Sequence, residues 1–344
     1  MLFGHGDDFY KSGKAVSSNY SSNVWYGADL EPLREHLFEA FDCLKSYPEP
    51  DAGSLRRLLA EKNHISPAEI LVTNGSITAF YLIAQTWAGK HSAIFIPSFA
   101  EYEDACRLHG HRLTFYKNLS PLSELSLKGV DLCWICNPNN PDGKLIQRPD
   151  MLEWVEGHPD TLFVIDQVYA DFCMEHLLDL EDIHRHPNLI LIQSISKLHK
   201  IPGARIGYVA ASEELIASIQ ARLIPWSVNS LAVEAGKYTL LHPELFALPL
   251  RQWLDEARRL QRRIGELGVD VYPSSVPFFL NKLPRRMSAG RLKAFLWERG
   301  MLIRDASNFR GLDSSYFRLS TQSPEENDRL VEALRDYMER GGCI

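Results

Sequence analysis

Between residues 70 and 223 the chain alternates short apolar segments with segments of helical or turn-rich character. The apolar segments are the predicted strands, over residues 70–72, 92–96, 112–116, 132–136, 162–165, 189–193 and 205–209. Alternating strands and helices are typical of β-α-β units, which assemble a mostly parallel sheet covered by helices. Ligand sites of such sheets lie at the carboxyl ends of the strands. The sequence therefore predicts an α/β fold with its functional site at that edge.

The pattern changes after Pro243, where a smaller α+β domain is predicted. It consists of helices over residues 246–267, 289–299 and 323–339, and strands over 269–271, 278–280, 302–304 and 316–320. We therefore divide the chain into a large domain at residues 46–240 and a small domain at 241–344. Residues 1–45 are an arm and a first helix that we expect to join the small domain. The apolar stripe of this helix, predicted over residues 29–45, consists of Leu30, Leu33, Leu37, Phe38 and Phe41.

Composition argues against several classes of function. The net charge of −7 and the lack of a basic run disfavour a nucleic-acid partner. No apolar run reaches the length of a membrane span, and the first residues lack the apolar core of a signal peptide, so we expect a cytoplasmic protein without a membrane partner. Cys133 and Cys136 lie in one predicted strand, where their side chains point to opposite faces, so we expect no metal site.

The most informative residues follow the predicted strand over residues 189–193. Ser194, Ser196 and Lys197 come directly after it, and Arg205 follows a short loop later. Two hydroxyls and a guanidinium are suited to an anion, and the lysine places an amine nucleophile beside it. A pyridoxal-phosphate enzyme needs this combination, with the lysine for the Schiff base and the other groups for the cofactor phosphate. Taken alone, the motif also fits a surface loop with a solvated lysine.

Two further strand ends carry groups suited to the same cofactor. Gly75, Ser76 and Ile77 open a helix after a strand, so that their amides can hold a phosphate, although a glycine at such a turn is often there for steric reasons. Phe99 or Tyr102 follows the next strand and can stack on a flat cofactor. Core packing is the ordinary explanation for either aromatic residue.

Asn140 and Asp166 follow two more of the predicted strands. The Asn140 amide can donate to the phenolate oxygen of the cofactor, although the segment also fits a tight turn. A carboxylate after a buried strand needs a cationic partner, which a pyridinium nitrogen would provide for Asp166. Helix capping is the alternative for Asp166. Tyr169, three residues further on, is within reach of the same phenolate.

Arg304 and Arg318 lie at the ends of two predicted strands of the small domain. Arginines at strand ends are often solvent-facing. As a pair, however, they are suited to clamp two substrate anions by bidentate contacts.

Taken together, these motifs and their order resemble the fold-type-I pyridoxal-phosphate enzymes. More narrowly, the chain resembles the aminotransferase class I/II branch that contains threonine-phosphate decarboxylases and histidinol-phosphate aminotransferases. The resemblance extends over essentially the whole chain and includes segments at residues 4–6, 99–103, 201–208, 224–229 and 302–318.

The resemblance implies a role for each candidate residue. Lys197 is implied to form the Schiff base, Asp166 to pair with the pyridinium nitrogen, and Asn140 with Tyr169 to bind the phenolate. The cofactor phosphate is implied to bind Ser194, Ser196, Arg205 and the amides of Gly75, Ser76 and Ile77, together with Tyr47 from the neighbouring subunit of a homodimer. The substrate is implied to contact Arg318 through its carboxylate, with His5 and Arg304 as candidates for its phosphate, and Asn140 is also implied to contact the substrate.

The implied activity acts on a phosphorylated small molecule. Decarboxylation of threonine phosphate, a step of cobalamin biosynthesis, is the preferred expectation. The alternative is amino transfer on a substrate such as histidinol phosphate, because the same site serves either reaction. A third hypothesis is a cofactor-binding regulator, but the chain has no recognisable DNA-binding extension.

Overall fold

The computed structural model describes residues 6–8, 16–117, 125–284 and 286–342. The strands are β1 Ser18–Asn19, β2 Ile70–Thr73, β3 His91–Ile96, β4 Arg112–Lys117, β5 Leu132–Cys136, β6 Leu162–Asp166, β7 Leu189–Ser194, β8 Gly207–Ala211, β9 Asp270–Val271, β10 Phe278–Lys282, β11 Met301–Leu302, β12 Arg304–Asp305 and β13 Tyr316–Ser320. The α-helices are α1 Glu31–Glu39, α2 Gly53–Lys62, α3 Gly75–Thr86, α4 Glu101–Leu108, α5 Arg148–Gly157, α6 Asp182–Arg185, α7 Glu213–Gln220, α8 Ser230–Leu241, α9 Leu250–Gly265, α10 Ala289–Trp297 and α11 Pro324–Glu339.

Seven strands form the larger sheet, in the order β2-β8-β7-β6-β5-β3-β4. All neighbouring pairs are parallel except those of β8, which runs antiparallel to both β2 and β7. Alternate residues of the buried strand β5 enter different core clusters, with Cys133 in one and Cys136 in the other. The predicted mostly parallel α/β architecture is therefore confirmed.

The antiparallel strand β8 matters for the site because its beginning lies at the edge where the parallel strands end. Our prediction that this strand starts at Arg205 is wrong by two residues. A 3₁₀ turn, Pro202–Ala204, precedes Arg205, whose backbone is left-handed with φ of 59°. The side chain of Arg205 is thus placed in a loop at the sheet edge, beside the ends of β2 and β7.

A second, smaller unit is built on the antiparallel sheet β12-β13-β10-β9. Its core contains Phe279 and Phe317 from the sheet, and Leu260 and Leu334 from α9 and α11. Tyr20 belongs to the same core, and β1 pairs in parallel with β11. The N-terminal arm is therefore part of this smaller unit.

Helix α1, unlike the arm, packs against the larger unit. It ends at Glu39 and continues as a 3₁₀ turn to Lys45, and its Leu33 packs in the core of the larger unit. The structure thus divides the predicted N-terminal segment, with the arm on the smaller unit and the first helix on the larger one. The domain limits at residues 46 and 241 stay predictions. Part of the apolar stripe faces outward, since Phe38 is 83% and Phe41 59% exposed.

Two kinds of feature are absent from the part of the chain that the structure describes. No helix there combines the length and apolar character that crossing a membrane requires. Nor do three or more His, Cys, Asp or Glu side chains in those ranges come together as metal ligands.

Gly207 allows β8 to approach the start of α3. It pairs with Thr73 on one side and Ser194 on the other. A Cβ atom at this position would lie 2.6 Å from the backbone nitrogen of Ser76 and 3.0 Å from the carbonyl oxygen of Gln193. Both are backbone atoms, which move only if the helix or the neighbouring strand moves.

We expect Gly207→Ala to lower the midpoint of thermal unfolding, because overpacking of this kind costs about 1–3 kcal/mol. The matched control is Gly265→Ala at the end of α9, where a Cβ atom would meet nothing within 4 Å. Alanine is the better helix former, so the control should be neutral or slightly stabilising. Equal midpoints for the two variants in differential scanning calorimetry would contradict the prediction.

Candidate active site

A cavity lies at the carboxyl edge of the larger sheet, where the sheet meets the smaller unit and the N-terminal arm. Nearly all of the residues predicted from the sequence line it: Gly75, Ser76, Ile77, Phe99, Tyr102, Asn140, Asp166, Tyr169, Ser194, Ser196, Lys197, Arg205, Arg304 and Arg318. Tyr47 does not line it and is 86% exposed. His5 lies outside the described residues.

One end of the cavity is suited to bind an anion. The backbone of Gly75 has φ of 77°, and a Cβ atom there would overlap the guanidinium of Arg205. Arg205 therefore lies directly over the N-terminus of α3, where backbone amides lack partners within the helix. The hydroxyl of Ser196 lies on the same side and donates to the carbonyl of Ile206 at 3.0 Å. A helix N-terminus, a guanidinium and hydroxyls together suit a phosphate group.

Lys197 is the amine of the site. Its Nζ lies 6.0 Å from the centre of the Tyr169 ring. Desolvation, together with the positive charges of Arg205 and Arg318, lowers the pKa of Lys197 to about 8. At neutral pH a larger fraction of a lysine with this pKa is deprotonated than of a solvated lysine, and the deprotonated amine is the nucleophile.

Asp166 ends β6 and is 4% exposed. Its Oδ1 accepts a hydrogen bond from the backbone N–H of Val168 at 3.1 Å, and its Oδ2 accepts one from the hydroxyl of Tyr102. Burial raises the pKa of Asp166 to about 6. No helix begins directly after Asp166, so this residue is not a helix cap. It is a buried carboxylate that faces the cavity.

The two aromatic residues proposed for stacking have different positions. Tyr102 is 1% exposed, its ring stacks on Trp134, and its hydroxyl is engaged by Asp166. Phe99 is half-buried and meets Tyr102 edge-on at a centroid distance of 6.0 Å. Phe99 is therefore the better placed of the two to contact a flat ligand. The hydrogen bond of Tyr102 was not predicted, because it joins residues that are 64 positions apart.

Arg318 connects the smaller unit to the larger one. Its Nη1 donates to Oδ1 of Asn140 at 2.5 Å, and its Nη2 donates to the carbonyl oxygen of Ser21. Because Oδ1 of Asn140 is used in this way, the NH₂ group of the amide stays available for a ligand. The Nε atom of Arg318 is buried without a partner among the described residues, which leaves a donor for an anion.

Arg304 lies opposite Arg318 in the antiparallel pair of β12 and β13. It is 8% exposed, donates to Oδ1 of Asn308 at 2.8 Å, and lies 5.1 Å from the centre of the Phe309 ring. Burial lowers the pKa of both arginines to about 10. Within the described ranges neither arginine forms a salt bridge, so two cations face the cavity without a carboxylate partner.

The sequence did not predict the contribution of the N-terminal arm beyond His5. Gly6, Asp7, Ser21, Ser22 and Asn23 line the cavity. Asp7 is held by two bonds, since its N–H donates to the hydroxyl of Ser21 and its carboxylate accepts from the side chain of Asn19 at 2.5 Å. Lys293 pairs with the neighbouring Asp8 at 2.7 Å. The sequence of the arm lacks periodicity, so only the three-dimensional structure reveals that these residues line the cavity.

The donor set fits pyridoxal phosphate, the cofactor that the resemblance implies. The anion site over α3 suits the phosphate, the buried carboxylate of Asp166 suits a cationic ring nitrogen, and the amine of Lys197 suits a covalent link. The Gly75 position, where a side chain would meet Arg205, keeps the anion site open.

Known proteins share this fold over nearly the whole chain. The crystal structure of L-threonine-O-3-phosphate decarboxylase from Porphyromonas gingivalis matches with a TM-score of 0.92 at 46% sequence identity, covering 94% of this chain and 99% of that one. The threonine-phosphate decarboxylase of Salmonella typhimurium is 26% identical, over 97% of this chain and 96% of its own length. A histidinol-phosphate aminotransferase of a Thermoanaerobacter species is 30% identical, over 85% of this chain and 84% of its own.

Decarboxylases and aminotransferases therefore both occur among the similar proteins, and the comparisons define the family and the fold rather than the reaction. The fold is that of the fold-type-I pyridoxal-phosphate transferases, as predicted. Residues 17–334 match the family described as aminotransferase class I and II. The chain belongs to this aminotransferase class I and II family, and pyridoxal 5′-phosphate is its cofactor.

Proposed function

We propose that the protein is a lyase that decarboxylates L-threonine O-3-phosphate to (R)-1-aminopropan-2-yl phosphate, a reaction of cobalamin biosynthesis. The observation that carries the proposal is the placement of Arg304 and Arg318 directly opposite each other on neighbouring strands. Like charges in this position destabilise a sheet unless something neutralises them. A single substrate with both a carboxylate and a phosphate would neutralise both arginines, whereas histidinol phosphate itself has no carboxylate and amino transfer would bring one only with its second substrate.

The similarity to known proteins supports the same choice. The identity of 46% is to a threonine-phosphate decarboxylase, over 94% of this chain. The second candidate is amino transfer on a phosphorylated substrate, which the 30% identity to a histidinol-phosphate aminotransferase favours.

In the proposed site the larger unit holds the cofactor. The amides of Gly75, Ser76 and Ile77, the hydroxyls of Ser194 and Ser196, and Arg205 would bind its phosphate. Asp166 would pair with the ring nitrogen, Asn140 and Tyr169 would donate to the phenolate, and Phe99 would contact the ring. When bound, pyridoxal phosphate supplies a sink for the electrons that remain when a bond to the substrate Cα breaks.

The remaining residues would handle the substrate and its protons. Arg318, with Asn140, would bind the carboxylate, and Arg304, with His5, would bind the phosphate. The amine of Lys197 would attach the cofactor and, once displaced by the substrate amine, would carry the proton that replaces CO₂ at Cα. A pKa near 8 allows Nζ to give and take a proton at neutral pH.

The experiment that tests the proposal incubates the cofactor-loaded enzyme with threonine phosphate and measures CO₂ and the products by mass spectrometry. We expect CO₂ and aminopropanol phosphate in equal amounts, and neither from Lys197→Ala. A parallel reaction with histidinol phosphate and 2-oxoglutarate tests amino transfer. Formation of glutamate in that reaction, with no CO₂ from threonine phosphate, would overturn the proposal.

Arg304→Ala should reduce kcat/KM for threonine phosphate by about one to two orders of magnitude, because a charge-assisted hydrogen bond contributes roughly 1.5–3 kcal/mol. Unphosphorylated threonine should be a poor substrate of the wild type and lose much less in the variant, since it lacks the group that Arg304 would bind. Arg291→Ala, exposed on α10 of the same unit, is the control and should change neither value. If Arg304→Ala harms both substrates equally, this arginine is structural.

The proposed assembly is a homodimer with shared active sites, in which Tyr47 contacts the cofactor phosphate of the other subunit. Tyr47 packs against Trp226 at a centroid distance of 5.6 Å, and both are largely exposed. Phe38, Phe41 and Leu44 are exposed on the same stretch of chain. Exposed apolar residues in such numbers are typical of an interface between subunits.

We expect sedimentation velocity at micromolar concentration to show a dimer. Tyr47→Phe should weaken cofactor binding while the dimer persists, because only one hydroxyl is lost. Phe38→Asp should shift the protein toward monomers and weaken cofactor binding as a consequence, because a buried unpaired charge disfavours the interface. A wild-type monomer that binds the cofactor tightly would refute the shared site.

A further inference from the structure

We propose that Tyr102 is a positioning residue for Asp166: its hydroxyl fixes the orientation of the carboxylate and favours its ionised form, so that Asp166 can pair with a cationic ring nitrogen. The inference rests on the role proposed above for Asp166. Tyr102 itself lies behind the carboxylate and acts through it.

The hydrogen bonds of Asp166 leave little freedom for its carboxylate. Oδ2 accepts from the hydroxyl of Tyr102, and Oδ1 accepts from the backbone N–H of Val168 at 3.1 Å. The two donors come from different directions, one from α4 and the other from the loop after β6. Both oxygens are thus fixed, and each keeps a lone pair for a further partner in the cavity.

The ring of Tyr102 is itself held on several sides. It stacks on Trp134 with a centroid distance of 5.9 Å and an interplanar angle of 24°, and it meets Phe80 edge-on at 4.9 Å. A ring that is 1% exposed and packed in this way holds its hydroxyl in a fixed position. The packing of these aromatic rings therefore fixes the Tyr102 hydroxyl and, through its hydrogen bond, the orientation of the Asp166 carboxylate.

Tyr102 acts as the donor in this hydrogen bond. Burial and the nearby carboxylate raise the pKa of Tyr102 well above its ordinary value, so the hydroxyl keeps its proton at any working pH. The other titratable groups that face Asp166 are Cys136, Tyr169 and Lys197. Burial raises the pKa of Cys136 and Tyr169, so both stay neutral, and Lys197 is the cation that favours the carboxylate.

Loss of the Tyr102 hydroxyl should change the pKa of Asp166 in one direction only. Burial already raises the pKa of Asp166 to about 6, and the hydrogen bond of Tyr102 opposes that rise. Without it the pKa of Asp166 moves higher, and more of the carboxyl is protonated at a given pH. A protonated Asp166 cannot form an ion pair with the ring nitrogen, so activity should be lost at a higher pH as the solution is acidified.

The test is Tyr102→Phe, which removes one oxygen atom and keeps the ring. The acid limb of the pH profile of kcat/KM should move up by about one unit, the value expected for a hydrogen bond to a charged group. The pH titration of the absorbance of the bound cofactor should move in the same direction. We expect kcat to fall about ten-fold with little change in KM, because the substrate-binding arginines are untouched.

Tyr81→Phe is the matched control. The Tyr81 hydroxyl donates to Oε2 of Glu101 at 2.8 Å, so this variant also removes a tyrosine–carboxylate hydrogen bond next to α4, but away from the cavity. It should leave the absorbance titration and the pH profile unchanged. Equal shifts in both variants would mean that a movement of α4 is responsible, and the proposal would fail.

The Asp166→Asn variant distinguishes the role proposed here for Tyr102 from the role proposed above for Asp166. If Tyr102 acts through the carboxylate, adding Tyr102→Phe to Asp166→Asn should have little further effect on the absorbance or on kcat. Additive effects would show that Tyr102 is merely structural. An unchanged absorbance titration and kcat in Asp166→Asn alone would refute the role of Asp166 instead.

Discussion

The structure is organised around a group of positive charges that share one buried cavity. Lys197, Arg205, Arg304 and Arg318 all face it, and desolvation lowers the pKa of each. Bringing cations together away from water is unfavourable unless anions neutralise them. Asp166 and Asp7 supply two carboxylates at this site. Binding of the phosphorylated cofactor, and of the anionic substrate proposed above, would therefore relieve this repulsion, and both ligands should stabilise the folded state.

The sheet explains how residues far apart in sequence reach this cavity. Parallel strands end at one edge, and the reversed strand β8 begins there, so the segments at Gly75, Ser194 and Arg205 converge around Gly207. A side chain at Gly207 would separate β8 from α3. The geometry of the anion site thus depends on the absence of a side chain at Gly207, which does not itself line the cavity but lies next to Ser76 and Ser194, which do.

Much of this arrangement could be predicted from the sequence, because buried strands are apolar and the polar residues that follow them are conspicuous. The start of β8 was placed too early because the apolar pattern does not reveal the left-handed backbone of Arg205. The bond between Tyr102 and Asp166 could not be predicted, since a tyrosine in an apolar cluster has no periodic signal for its hydroxyl. Periodicity predicted one apolar stripe on the first helix, but it does not tell that Leu33 of this stripe is buried whereas Phe38 and Phe41 are exposed.

The two ends of the cavity come from different parts of the fold. The groups suited to the cofactor, such as Lys197 and Asp166, lie on the larger unit, whereas Arg304, Arg318 and the arm come from the smaller one. Arg310 links the units by donating two hydrogen bonds of 2.6 Å to Glu103. A change on β12 or in the arm is therefore separate from Lys197 and Asp166, whereas a change at Arg318 of β13 also affects Asn140 of the larger unit, to which Arg318 donates a hydrogen bond. Enzymes named for decarboxylation and for amino transfer share this fold, and we expect the difference between them to lie in how the smaller unit orients the substrate.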